Sequence, residues 1–241
     1  MSLTDRQNEI LKAIIEEHIE CAQPIGSLEL VEKQSLNVSG ATVRNIMADL
    51  VRLGYLNMMH VSSGRVPTDR AYRYYITELL IEGEVSLLDE VALRQKVWDE
   101  RYELERLLAN SAHALSEATG SMCISLTDDG FSAYAGISKI LEMPEFYEID
   151  VTRSVFRIVD DYELAKSIFS RSDGQNSLSI LIGREIGLAN MEPITVISTS
   201  CVIGGKKCYI GMLGPSRLRY NRIIPIVRYI SQLLDEVGSS V

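Results

Sequence analysis

Between Ser39 and Thr68 the chain reads SGATVRNIMADLVRLGYLNMMHVSSGRVPT, and this stretch restricts the possible folds more than any other. Projected at about 100° per residue, Val43, Ile46, Leu50 and Leu53 form one apolar stripe, which requires a core to face. Ala41, Asn45, Ala48 and Arg52 then turn the opposite way, with Arg44 on the flank. That outward face has small residues between its polar ones and no acid. Asp49, the only carboxylate of the helix, lies to one side. Ser39 is the expected N-cap and Gly54 the expected stop. Tyr55 to Val61 is strand-like, Ser62-Ser63-Gly64-Arg65 is a turn with an arginine at its tip, and Val66-Pro67-Thr68 closes it.

Helix, hairpin and basic tip are the parts of a winged helix-turn-helix, in which the helix reads base edges and the tip touches backbone or minor groove. Arg and Asn are the side chains best matched to the G and A edges of the major groove. A solvated amphipathic helix followed by an ordinary hairpin also accounts for the stretch taken alone. Its neighbours bear on the choice. Thr4 and Gln7 have capping-box spacing, and Ile10, Leu11, Ile14, Ile15 and Ile19 recur at helical intervals. Pro24 and Gly26 break the chain, Ser27 caps a short second helix, and Asn37-Val38-Ser39 turns into the third. The first helix is acidic (Glu9, Glu16, Glu17, Glu20) and is expected to face away from DNA. A fourth helix, DRAYRYYITELL, packs back through Tyr72, Tyr75, Ile76 and Leu79, leaving Arg70 and Arg73 within reach of phosphates.

The net charge of −9 over 241 residues argues against a general polyanion binder. A sequence-specific binder needs only a local patch. From Ser39 to Tyr75, Arg44, Arg52, Arg65, Arg70 and Arg73 face only Asp49 and Asp69, a local balance of +3. Cys21, Cys123, Cys201 and Cys208 make no CxxC pair, and His18, His60 and His113 are scattered. Buried reduced thiols are expected, with no metal site and no cofactor. No signal-peptide core and no bilayer-length apolar run is present, so a cytoplasmic protein without membrane association is expected.

From Ser86 to about Glu117 the sequence contains no Pro or Gly and predicts one long helix. Val97, Leu104, Leu108, Leu115 and Ala118 trace a rough heptad along it. Such a helix either joins two protomers or packs on its own domain. After Gly120 the texture changes. Strands are expected at Ser121–Leu126, Leu178–Ile182, Ile194–Ile203 and Lys206–Leu213, with a Gly204-Gly205 hairpin turn and a stop at Gly214-Pro215. Phe131–Leu141 is a strand or a strand-to-helix transition, Pro144 to Arg171 is helical, Ser172-Asp173-Gly174 turns, and Arg222–Val237 closes the chain as a helix. Antiparallel strands with helices packed on them make an α+β domain. Glu185, Asp160 and Asp161 have no placed partner, Ser198 and Ser200 lack a GxSxG context, and the glycines form no phosphate loop. No catalytic arrangement emerges, and the chain is not expected to be an enzyme. For Arg217, Arg219 and Arg222, anion binding and ordinary ion pairing both stay open.

Laid end to end, LTDRQNEILKAIIEEHIE, QPIGSLELVE, SGATVRNIMADLVRLGYL, SSGRVPTDRAYRYY, AGISKILEMPEF, LIGREIG and YIGMLGPSRLRYNRIIPIVRYI resemble, in order, the HrcA-type heat-inducible transcription repressors of bacteria. The resemblance implies an N-terminal winged helix, a GAF-like domain with an inserted dimerisation segment, and a dimer bound to an inverted-repeat operator ahead of chaperone genes. Heat inactivation and support from the chaperonin are implied with it. It puts Arg44 and Asn45 on the recognition helix and Ser62, Ser63, Gly64 and Arg65 on the wing. In one respect the chain departs from the pattern: Asp128 to Ser132 bridges directly a gap that other members fill with a long middle stretch.

The expected architecture is therefore α+β, with a winged-helix domain over 1–82, a long helical linker over 83–119 and a reduced GAF-like sensor or dimerisation domain over 120–241. The expected function is repression of heat-shock (chaperone) genes by a homodimer on double-stranded DNA. Ser39, Thr42, Arg44, Asn45, Arg52, Ser62, Ser63, Gly64, Arg65, Arg70 and Arg73 are the candidate DNA contacts. A ligand-responsive winged-helix regulator of other genes, and a chaperone-binding protein without DNA binding, are the alternatives. A stabilising metabolite would mark the first, and a monomer indifferent to palindromic DNA the second.

Overall fold

The computed structural model describes residues 3–34, 38–58, 64–171 and 177–240. The chain divides into two compact units, one of residues 1–81 with 217–219 and one of residues 82–216 with 220–241.

In the first unit, α1 (Asp5–Cys21), α2 (Ser27–Gln34), α3 (Gly40–Arg52) and α4 (Asp69–Tyr74, continued by a π-turn over Tyr75–Leu79) surround a two-stranded antiparallel ribbon of β1 (Leu56–Met58) and β2 (Arg65–Pro67). The capping box is formed at α1: Gln7 N–H donates to Thr4 Oγ1 at 3.3 Å and Thr4 N–H to Gln7 Oε1 at 3.0 Å. Ile10, Leu11, Ile14 and Ile15 from α1 meet Leu30, Val43, Leu50 and Leu56 in a core where all are essentially inaccessible. Each such side chain contributes about 1.5–3 kcal/mol by leaving water. Glu17 turns inward from the acidic α1 and accepts from Lys33 Nζ at 2.6 Å. The tyrosines of α4 tie it to α1 through their hydroxyls: Tyr74, half-buried, donates from OH to Asn8 Oδ1 at 2.9 Å, and the OH of buried Tyr72 lies 2.7 Å from His18 Nδ1. Burial, then the neighbouring Glu16, pushes the Tyr75 hydroxyl up to about 12.

The second unit is a five-stranded antiparallel sheet in the order β4-β3-β7-β6-β5. Its elements run α5 (Leu87–Asp99), α6 (Leu104–Thr119), β3 (Met122–Thr127), β4 (Ser132–Ala135), α7 (Ile137–Ile140), α8 (Ile149–Asp160), α9 (Tyr162–Phe169), β5 (Ser179–Ile182), β6 (Ile194–Ile203), β7 (Lys206–Pro215) and α10 (Tyr220–Ser240). Alternate strand residues sort onto two faces. Met122, Ile124, Leu126, Ile194, Val196, Tyr209 and Leu213 join Phe146, Val155, Ile158, Ile168 and Phe169 in one apolar layer under α8 and α9. The other face meets α6 and α10 through a seam of satisfied hydroxyls. Ser125 Oγ donates to the Leu108 carbonyl at 2.9 Å, and Thr199 Oγ1 lies 3.0 Å from Ser231 Oγ.

Three sequence expectations change here. The single helix expected from Ser86 to Glu117 is two helices, α5 and α6, turned back on each other across Glu100–Glu103. With no Pro or Gly to break it, the turn comes from packing: α6 lies on β3 and β4, and α5 lies on α6 and α10. Arg101 helps close the turn, donating to the Trp98 carbonyl at 2.7 Å and stacking 4.3 Å from the Tyr102 ring centroid. The helical stretch up to Arg171 is likewise divided, Asp161 capping α9 by accepting from Leu164 N–H at 3.0 Å. Strand β7 runs through the expected stop, Pro215 pairing with Ile194. Arg222 is ion-paired with Asp89 at 3.3 Å, which favours ordinary pairing over anion binding for that residue. The turn expected at Ser172-Asp173-Gly174 lies outside the described residues. At Gly204 and Gly205 the backbone has φ of +56° and +80°, as a tight two-residue hairpin requires.

Pro225 lies inside α10 and has no N–H to give the Asn221 carbonyl. The Gly83 N–H takes that place at 2.8 Å, where the chain enters the unit. A side chain on Gly83 would meet the same carbonyl at 3.1 Å. Beside it, Arg228 pairs with Glu82 at 3.2 Å.

Candidate nucleic-acid interface

Ser39 caps α3 as expected: its Oγ accepts from Thr42 N–H at 3.1 Å and lies 3.0 Å from Thr42 Oγ1. The buried stripe is Val43, Met47 and Leu50, so Met47 takes the place expected of Ile46, which is only half-buried. Val43 and Leu50 are buried as projected, whereas Leu53, like Ile46, is only half-buried. The outward face survives this difference. Ala41, Arg44, Asn45, Ala48 and Arg52 are all exposed. Arg44 and Asn45 have no hydrogen-bond or ion-pair partner among the described residues. Arg52 is tied to Asp49 one turn back, so the helix's only acid is neutralised by a neighbour on its own surface.

The end of α3 is a complete Schellman motif. Gly54 stands at φ +78°, its N–H donates to the Val51 carbonyl at 3.0 Å, and Tyr55 N–H donates to the Leu50 carbonyl at 2.9 Å. The start of α4 locks onto this end. Thr68 Oγ1 donates to the Gly54 and Tyr55 carbonyls at 2.8 and 3.1 Å. Arg70 Nη1 donates to the Leu53 carbonyl at 2.9 Å, with its guanidinium 4.6 Å from the Tyr55 ring centroid. Arg70, expected to hold phosphate, is thus engaged as a helix C-cap, with a cation favourably placed at the negative end of the dipole.

The ribbon pairs Leu56 with Pro67 and Met58 with Arg65. Arg65 also bridges back to Ile25, exchanging backbone hydrogen bonds of 2.8 and 2.9 Å. A Cβ on Gly64 would fall 2.6 Å from the backbone of Pro24 and Ile25, so close approach alone requires glycine here. Ser62 and Ser63 lie outside the described residues. Arg65 and Arg73 are half-buried. Thr42, Arg44, Asn45 and Arg52 are thus exposed along α3 with Ser39 at its N-cap, while Gly64 and Arg70 make contacts that hold the unit together. Sequence reading missed Thr68, whose role as clamp on the end of α3 is signalled only by its place as N-cap of α4.

Among the described residues no group of three or more His, Cys, Asp or Glu is placed to hold a metal ion. Nor, among the described residues, is any helix long and apolar enough to cross a membrane.

Residues 70–224 match the family model described as HrcA protein C terminal domain. A heat-inducible transcription repressor HrcA of Geobacter sulfurreducens is 26% identical over 336 residues, covering 98% of each chain. One of Bacillus pumilus is 25% identical over 341 residues, covering 99% of each. An alignment of 336 positions against 241 residues leaves a long part of the relative without a counterpart in this chain. The crystal structure of a hypothetical protein superposes with a TM-score of 0.79 at 19% identity over 99% of both chains, a likeness of fold. A family model that spans well over half of the sequence settles the assignment: the chain belongs to the HrcA family.

Proposed function

We propose that this protein is a DNA-binding transcriptional repressor of heat-shock genes, acting as a homodimer on an inverted-repeat operator in the cytoplasm. In this reading residues 1–82 are a winged helix-turn-helix and 120–241 a reduced GAF-like domain, with 83–119, expected as a linker, packed into that second unit as α5 and α6 and the chaperonin as a further partner. The observation that carries it is the outward face of α3, open, small-residued and bearing unengaged Arg44 and Asn45. Helices of this kind enter the major groove. The names of the curated relatives, transcription repressors rather than enzymes, point the same way.

Asn45 and Arg44 would read bases, each bidentate contact supplying about 1–3 kcal/mol of discrimination. Arg52, Arg65 and Arg73 would lie along phosphates, and the wing would carry Ser62, Ser63 and Gly64 to the duplex. The test measures binding to the inverted repeat and to random DNA across a salt series. Asn45→Ala is expected to erase the preference for the repeat, and Arg73→Ala to weaken both and flatten the salt slope by about one unit. Equal losses in both variants on both DNAs would overturn the assignment.

A further inference from the structure

Cys201 and Cys208 stand directly opposite each other in the β6–β7 ladder, two pairs from the Gly204-Gly205 turn. Directly opposed residues of antiparallel strands point to the same face, with Cα atoms about 4.5–5.5 Å apart. That separation lies inside the window a disulfide spans. The two sulfurs are free, and both residues are buried, on the face that also presents Ser125 and Thr199. The last turn of α10 crosses this end of the hairpin, since a Cβ on Gly238 would meet the Val202 carbonyl at 2.5 Å. Cys21 and Cys123 have no such partner in register. We propose that Cys201 and Cys208 are a redox modification site, a dithiol that hydrogen peroxide converts to a reversible cross-strand disulfide.

In the first step the Cys208 sulfur attacks one peroxide oxygen, the O–O bond breaks, and the departing hydroxide takes a proton to leave as water. The resulting sulfenic acid is attacked by the Cys201 sulfur. An S–S bond forms, the S–O bond breaks, and the Cys201 proton leaves with the hydroxyl as a second water. Two thiols lose two electrons and peroxide gains them. The division of roles follows from the contact between the sulfurs: the Cys201 thiol donates toward Cys208, which holds Cys208 below its ordinary value and pushes Cys201 up. Peroxide is about the size of water, and the last turn of a helix opens more readily than the strands beneath it.

Trypsin separates the two cysteines by cutting after Lys206 and Lys207, leaving Cys201 in peptide 185–206 and Cys208 in peptide 208–217. The native full-length chain is treated with peroxide, alkylated under denaturing conditions, digested without reductant and analysed by mass. The expected result is a linked 185–206/208–217 pair, two fewer alkylated thiols, and release of both peptides by dithiothreitol. The same treatment in urea is expected to give the link in much lower yield. The proposal is overturned if native protein keeps both thiols alkylatable, if Cys208 alone is carried to sulfinic acid, if either cysteine links to Cys21 or Cys123 instead, or if urea gives an equal yield.

Discussion

At the scale of single residues, the first unit depends on side chains doing backbone work. Gly64 touches the Pro24–Ile25 backbone closely enough that an added methyl has nowhere to go. Gly64→Ala is expected to destabilise the protein by about 1–3 kcal/mol, read as a lowered denaturant midpoint with an unchanged slope. Arg70 caps α3 and covers Tyr55. Arg70→Ala is therefore expected to cost about 1 kcal/mol of stability while leaving the salt dependence of DNA binding as it was. A reduced salt slope with unchanged stability would return Arg70 to the phosphate role that its position in the sequence suggests.

At the scale of elements, legibility tracked how local the determining forces are. The capping box at Thr4, the Schellman stop at Gly54 and the Gly-Gly hairpin are set by residues a few positions apart, and each formed where its residues predict. The open face of α3 was readable because small and cationic residues recur on one side. Val43 and Leu50 of its buried side were readable too, but Met47 was missed, because Ile46 and Met47 are both apolar and only contact with α1 and α2 chooses between them. The α5–α6 turn had no local signal at all. It forms because each half has its own surface to cover, and the heptad trace of Leu108 and Leu115 is a core trace, both side chains being fully buried. Leu108→Ala is accordingly expected to cost about 2–5 kcal/mol, whereas Leu88→Ala, on the exposed side of α5, should stay within about 0.5 kcal/mol. Dissociation without loss of stability in Leu108→Ala would instead identify α6 as a dimer helix.

At the scale of the whole molecule, each unit has a buried acid that resists ionisation. Burial pushes the Cys123 thiol from 9.0 up to about 12 in the second unit, and Tyr75 moves from 10.0 to about 12 in the first. Between those limits the unfolded chain holds fewer protons than the native one, so stability falls as pH rises. The loss should begin near pH 9 through Cys123 and near pH 10 through Tyr75, and be complete above about 12. Thermal melts across that range should show it, and Cys123→Ala should reduce the earlier part. The proline within α10 has a further effect. By withholding an amide it lets Gly83 moor the incoming strand of chain to Asn221, so extra residues spliced in ahead of Glu82 would act as a simple spacer, while the same residues spliced in after Gly83 would pull α5 off its seat.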